Sequence, residues 1–209
     1  MTEEEKWNNY FYKGTNILKN KLNIRDNEKL KEYEYLIVAK KNSMLYLENN
    51  YPKVFDKEYL KYIHKYLFGD IYYFAGKFRN VDMGKGFMYE FTPVSQIENS
   101  LDELFNYVNN NLIKTSSSDM FYAENLAKFY KRLIQIHPFR EGNGRVSREL
   151  LREYVEINNV YFDKDYYLDF NLDDNDLKIL ERVPREEKYG NLTLVFYNIL
   201  KSKVKNKKM

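Results

Sequence analysis

The chain has 209 residues, 44% of them apolar and 17% aromatic, which suits a single folded domain over 1–209 and excludes a disordered polymer. Having no cysteine, it forms no disulfide, thiolate metal site or cysteine nucleophile. Its 34 basic and 31 acidic residues nearly balance, which opposes nucleic acid as a partner, and no apolar run reaches the roughly 18 residues of a membrane span.

The first residues, Met1–Tyr10, are acidic and polar and lack the apolar core of a secretory leader, so the cytoplasm is the expected compartment. Helical segments are expected around 29–48, 174–182 and 190–203. Leu60, Ile63, His64 and Leu67 recur at the spacing of one helix face. His64 lies among apolar neighbours on that face and reads as structural. A cleaner stripe runs through Ile97, Leu101, Leu104, Phe105, Val108 and Leu112, with Ser95 as the expected N-cap and Glu98 three residues on. A third comprises Leu126, Phe129, Tyr130, Leu133 and Ile136 or His137, and a fourth Val146, Leu150, Leu151, Tyr154 and Val155. No composition shift marks a linker and no repeat is present, so the fold class is mostly α.

The exception is 77–92. Phe78 to Met83 and Phe87 to Phe91 flank Gly84-Lys85-Gly86, and central glycines permit the positive φ of a hairpin turn. A short β-hairpin is expected there, with an irregular glycine loop as the alternative. The aromatic stretch 161–170 reads as an ordinary loop carrying core rings. The lysine-rich end, 201–209, reads as a solvated, disordered basic tail.

Between the third and fourth stripes lies HPFREGNGRVSR, His137 to Arg148. A helix ending before it and another starting near Gly144 leave unpaired N–H groups and a positive dipole end facing the loop, which suits an anion. Gly142 and Gly144 let backbone amides turn inward as a nest. Arg145 and Arg148, three apart, project from one helix face and can clamp phosphates. Glu141 is a hard oxygen ligand suited to Mg²⁺. His137, with an ordinary imidazole pKa of about 6.5, can accept a hydroxyl proton near neutral pH. Each residue alone has a structural explanation; their concentration in one loop points to transfer of a phosphorus group from a nucleotide.

The segment resembles the signature of the Fic family, His-x-Phe-x-(Asp/Glu)-Gly-Asn-Gly-Arg-x-x-Arg, met at every position by His137, Phe139, Glu141, Gly142, Asn143, Gly144, Arg145 and Arg148. Tyr62 to Arg79 resembles the family's lead-in to its flap hairpin, and the likeness spans roughly residues 20 to 200. It implies a helical-bundle Fic fold with a short flap and an Mg²⁺-dependent protein adenylyltransferase using ATP as co-substrate. His137 would be the general base toward a Ser, Thr or Tyr hydroxyl of a target protein, and Phe139 would hold the loop. Glu141 would hold Mg²⁺; Gly142, Asn143 and Gly144 would cradle phosphates; Arg145 and Arg148 would contact the phosphate tail. The flap would register the target by strand pairing, with Lys85, Gly86, Phe87 and Met88 contacting target and nucleotide. The signature fixes phosphates and not the base, so UTP, GTP or a phosphocholine donor are alternatives. A non-catalytic nucleotide-binding module is the alternative of another class, opposed by His137 and Glu141. An intact Gly144, where phosphate-transferring relatives have lysine, implies AMP transfer. The family's inhibitory pattern, (Ser/Thr)-x-x-x-Glu-(Gly/Asn), is not met, since Ser43 to Glu48 is one residue too long. Inhibition is therefore expected from an antitoxin-like partner or a homo-oligomeric contact.

Overall fold

The computed structural model describes residues 1–48, 52, 54–84, 90–182 and 190–205. Helices α1 (Glu3–Asn8), α2 (Asn27–Glu48), α3 (Lys57–Phe68), α4 (Ile97–Tyr107), α5 (Asp119–Ile136) and α6 (Asn143–Ile157) precede strand β1 (Lys164–Leu168). Helices α7 (Asp174–Arg182) and α8 (Gly190–Ile199) and strand β2 (Leu200–Val204) complete the order. Among the described residues the architecture is mostly helical, as the periodicity predicts.

Helix α5 is the axis. Its stripe widens to include Tyr122, Ala123, Ala127 and Ile134, all buried, so it packs against α4, α6 and α8. Its start is fixed by Ser118, whose Oγ accepts the Phe121 N–H at 3.3 Å, and Asp56 caps α3 by accepting the Tyr59 N–H at 2.7 Å. The expected Ser95 cap of α4 does not form. Val94–Gln96 is a 3-10 turn after Pro93, with the Val94 N–H held by Asp82 Oδ1 at 2.7 Å, and α4 begins at Ile97 without a side-chain cap.

Two further expectations change at the ends of the chain. Within the expected tail 201–209, Lys201–Val204 is not disordered: it pairs antiparallel with β1, from Lys164 opposite Val204 to Leu168 opposite Leu200, while 206–209 lie outside the described residues. Tyr166 and Leu168 turn into the core while Lys201 and Lys203 stay in solvent, so a lysine-rich edge strand carries the charge pattern of a coil. The same pairing makes 164–168 a strand instead of a loop, and ends the last helix at Ile199 instead of 203.

Of the expected hairpin, the described residues include the neck. Gly84 pairs with Glu90 in an isolated antiparallel bridge, and the Phe91 N–H donates to the Met83 carbonyl at 3.0 Å. Phe78 to Met83 is not a strand, because its backbone groups are engaged elsewhere. The Arg79 N–H donates to the Pro138 carbonyl at 2.8 Å, and the Arg79 side chain takes the carbonyls of Val81 and Thr92. Lys85, Gly86, Phe87 and Met88 lie outside the described residues.

Candidate active site

The chain leaves α5 through His137 in the left-handed region, φ 49°, and enters α6 through Gly142, φ 83°. For Gly142 that conformation is needed twice over: a Cβ there would meet the Phe68 ring at 2.5 Å. Between them the loop is closed by Asn143, whose Nδ2 donates to the Phe139 carbonyl at 2.8 Å and whose Oδ1 accepts the Phe139 N–H at 2.9 Å. The sequence assigns Asn143 a backbone role only; its buried amide is also the brace of the loop. Phe139 is buried against His64, ring centroids 3.9 Å apart, as expected of a loop anchor.

The signature residues surround one cleft of about 450 Å³. His137, Glu141, Gly142, Asn143, Gly144, Arg145 and Arg148 line it, with Met83 and Phe91 from the hairpin neck and Glu181 from α7. His137 stacks on Phe91 at 3.8 Å between centroids. Its Nδ1 lies 3.3 Å from the Ile134 carbonyl, which can only accept, so Nδ1 carries the hydrogen and the basic lone pair sits on Nε2. The Glu141 carboxylate accepts the Gly142 N–H at 2.8 Å and lies 3.4 Å from the Arg145 guanidinium. It is a hard oxygen donor beside a nest of amides, a donor type that suits Mg²⁺. Among the described residues no cluster of three or more acids and histidines competes with it.

Four supporting residues are absent from the sequence reading or understated by it. Arg79, fully buried, donates from Nε to the His137 carbonyl at 2.8 Å while holding the hairpin neck. Glu34 of α2 pairs with Arg145 at 2.5 Å and accepts the Tyr72 hydroxyl in a short hydrogen bond, and burial with the Glu34 charge pushes that phenol far up. Burial drives His64 down to about 4, so it is neutral. Its Nδ1 accepts the Gly76 N–H at 2.7 Å, and Nε2 therefore donates to the Glu141 carbonyl at 3.1 Å. The structural reading of His64 holds, and its task is to position Glu141. Arg140 is held among the rings of Trp7, Phe11 and Tyr10 at 4.5, 5.1 and 5.6 Å. Arg148 sits beside the Tyr130 hydroxyl and makes no ion pair among the described residues.

Residues 54–155 match the model of the Fic/DOC family. A probable protein adenylyltransferase of Sinorhizobium fredii is 32% identical over 136 residues, covering 64% of this chain and 68% of that one. A probable protein adenylyltransferase of Escherichia coli is 30% identical over 139 residues, 66% and 68% of the two chains. The crystal structure of the BepC effector protein of Bartonella tribocorum with bound AMPPNP superposes with a TM-score of 0.80 at 26% identity, covering 94% of this chain and 98% of that one.

Proposed function

The chain belongs to the Fic/DOC family, is a nucleotidyltransferase, and, we propose, moves AMP from ATP onto a Ser, Thr or Tyr hydroxyl of a target protein with Mg²⁺ as cofactor. The observation that carries this reading is the convergence of His137 Nε2, the amides of the α6 start, Arg145 and Arg148 on one cleft. A binding module has no use for an oriented base facing an anion nest.

The hydroxyl oxygen attacks the α-phosphorus, its proton passes to His137 Nε2, and the bond from the α-phosphorus to the bridging oxygen breaks as pyrophosphate leaves. Gly142, Asn143 and Gly144 offer amides to the phosphates, and Arg145 and Arg148 offset the charge gathering on the leaving group. Glu141 would hold Mg²⁺, which would supply further charge neutralisation there. Phe91, stacked on His137, fixes the ring where the hairpin neck would bring the hydroxyl. Lys85, Gly86, Phe87 and Met88 remain the candidate contacts to target and nucleotide. No described helix is long and apolar enough to cross a membrane.

Incubation of cell lysate with α-labelled ATP and Mg²⁺ tests the reading. Wild type labels protein; His137→Ala loses about 10²–10⁴-fold in labelling while still binding ATP. No label from wild type across several lysates refutes it.

A further inference from the structure

A second groove, of about 580 Å³, lies between the N-terminal arm and the chain leading into the hairpin neck. Lys6, Lys19 and Lys77 line it and no carboxylate does. Lys6 is partly neutralised at 2.6 Å by Glu3, outside the lining, whereas Lys19 donates to Asn9 Oδ1 at 3.1 Å. Neither Lys19 nor Lys77 forms an ion pair among the described residues. The rings of Phe74 and Phe78 are half-buried in it, and Tyr73 stands 66% exposed. Lysines beside aromatic walls, with Glu3 the one acid that pairs a lining lysine among the described residues, complement a ligand that is both acidic and aromatic.

The groove is joined physically to the catalytic loop. Tyr10 is their common wall: its hydroxyl donates to Asn80 Oδ1 at 2.8 Å, and its ring lies 5.6 Å from the Arg140 guanidinium beside Glu141. Phe78 packs on Phe139 of the signature at 5.6 Å. Asn80 and Phe78 in turn flank Arg79, which holds the His137 carbonyl. A polypeptide lying in the groove therefore borders the same short segment that carries the hairpin neck and braces the base.

We propose that this groove is an exosite for the target protein, taking an acidic segment with an aromatic side chain while the hydroxyl to be modified enters the cleft. The proposal rests on the protein-modifying reading above. Its electrostatic part acts on encounter and retention, and the chemical step is left to the cleft.

The test measures binding, so that its failure and that of AMP transfer are distinguishable. The probe is a fluorescein-labelled glutamate–tyrosine copolymer, titrated by anisotropy against the His137→Ala protein so that no transfer consumes it. Lys6→Glu/Lys19→Glu/Lys77→Glu should weaken binding about tenfold or more, and Lys29→Glu/Lys40→Glu/Lys114→Glu, with the same change in net charge, less than about twofold. Tyr73→Ala, on an exposed ring, should weaken it several-fold and serves if the first triple variant fails to fold. Emission of Trp7, the one tryptophan of the chain, which packs on Phe11 and Arg140 behind Tyr10, should shift on binding. Equal weakening by both triple variants, equal binding of a lysine–tyrosine copolymer, competition by ATP, or no binding at all overturns the proposal.

Discussion

Arg79 donates its Nε–H to the carbonyl of His137 at 2.8 Å, and its terminal nitrogens bind the carbonyls of Val81 and Thr92 on the two sides of the hairpin neck. One buried guanidinium thus couples the proposed base to the element expected to present the target. Arg79→Lys keeps the charge but not the planar fork, stranding at least one buried carbonyl. Each hydrogen bond to a charged group is worth about 1.5–3 kcal/mol. The variant should lose about 2–3 kcal/mol and, for a chain of this size, roughly 4–12 °C in Tm. Its kcat should fall more than its KM for ATP changes, because the base is displaced while the phosphate nest is not. Thermal scans and transfer kinetics check both.

Glu34 restrains Arg145 at 2.5 Å and is itself fixed by the Tyr72 hydroxyl. The carboxylate orients the guanidinium but also offsets charge that the phosphates would use. Glu34→Gln should therefore bind ATP about threefold more tightly and transfer its AMP more slowly, a split that separates orientation from attraction. Weaker ATP binding by Glu34→Gln would show that orientation dominates affinity as well.

Gly142 begins α6 at φ 83° against the Phe68 ring. Gly142→Ala should cost about 1–3 kcal/mol from backbone strain alone. It should also lose ATP affinity, since the amides of the nest move with the loop. Calorimetric titration of the variant with ATP measures the second effect directly.

The stability of the chain should fall as pH rises from about 4.5 to 8. Glu149 and Glu153, on the buried face of α6, are pushed up by burial to about 7 and about 8, and Arg152 at 2.7 Å from Glu149 does not reverse this. Unfolded, both ionise near 4.5, so above that pH the unfolded chain releases protons that the native chain retains. The stabilisation is complete below the unfolded pKa and is lost as pH climbs through the folded values. Glu149→Gln, whose side chain is fully buried, should flatten the Tm–pH curve between 5 and 8 and raise Tm at the alkaline end by several degrees. An unchanged curve would show that Glu149 is not held neutral.

The signature was readable because all its chemistry is local: twelve consecutive residues specify a left-handed exit, a nest and two arginines on one face. The helices of the core were readable because Leu126 to Ile136 or Ile97 to Leu112 repeat at helical spacing. Contacts between distant segments left no such trace. Nothing in Glu34 marks a partner 111 positions later, and Arg79 shows only as an arginine closing an aromatic stretch. Phe78 to Met83 was overread as a strand because apolar residues resemble one whether or not a buried side chain has claimed their carbonyls. The C-terminal strand was missed because lysines on a solvent face look the same in an edge strand and a coil. The arm that cages Arg140 carries its meaning in Trp7 and Phe11, two rings four apart that show no target until the chain is folded.

Parallel reactions with α-labelled and γ-labelled ATP test AMP transfer most directly. The geometry of His137 against the α6 nest predicts protein labelled from the α-label alone, abolished in His137→Ala and accompanied by release of labelled pyrophosphate from the γ-label. Protein labelled from the γ-position, or α-labelling that survives His137→Ala, would contradict it.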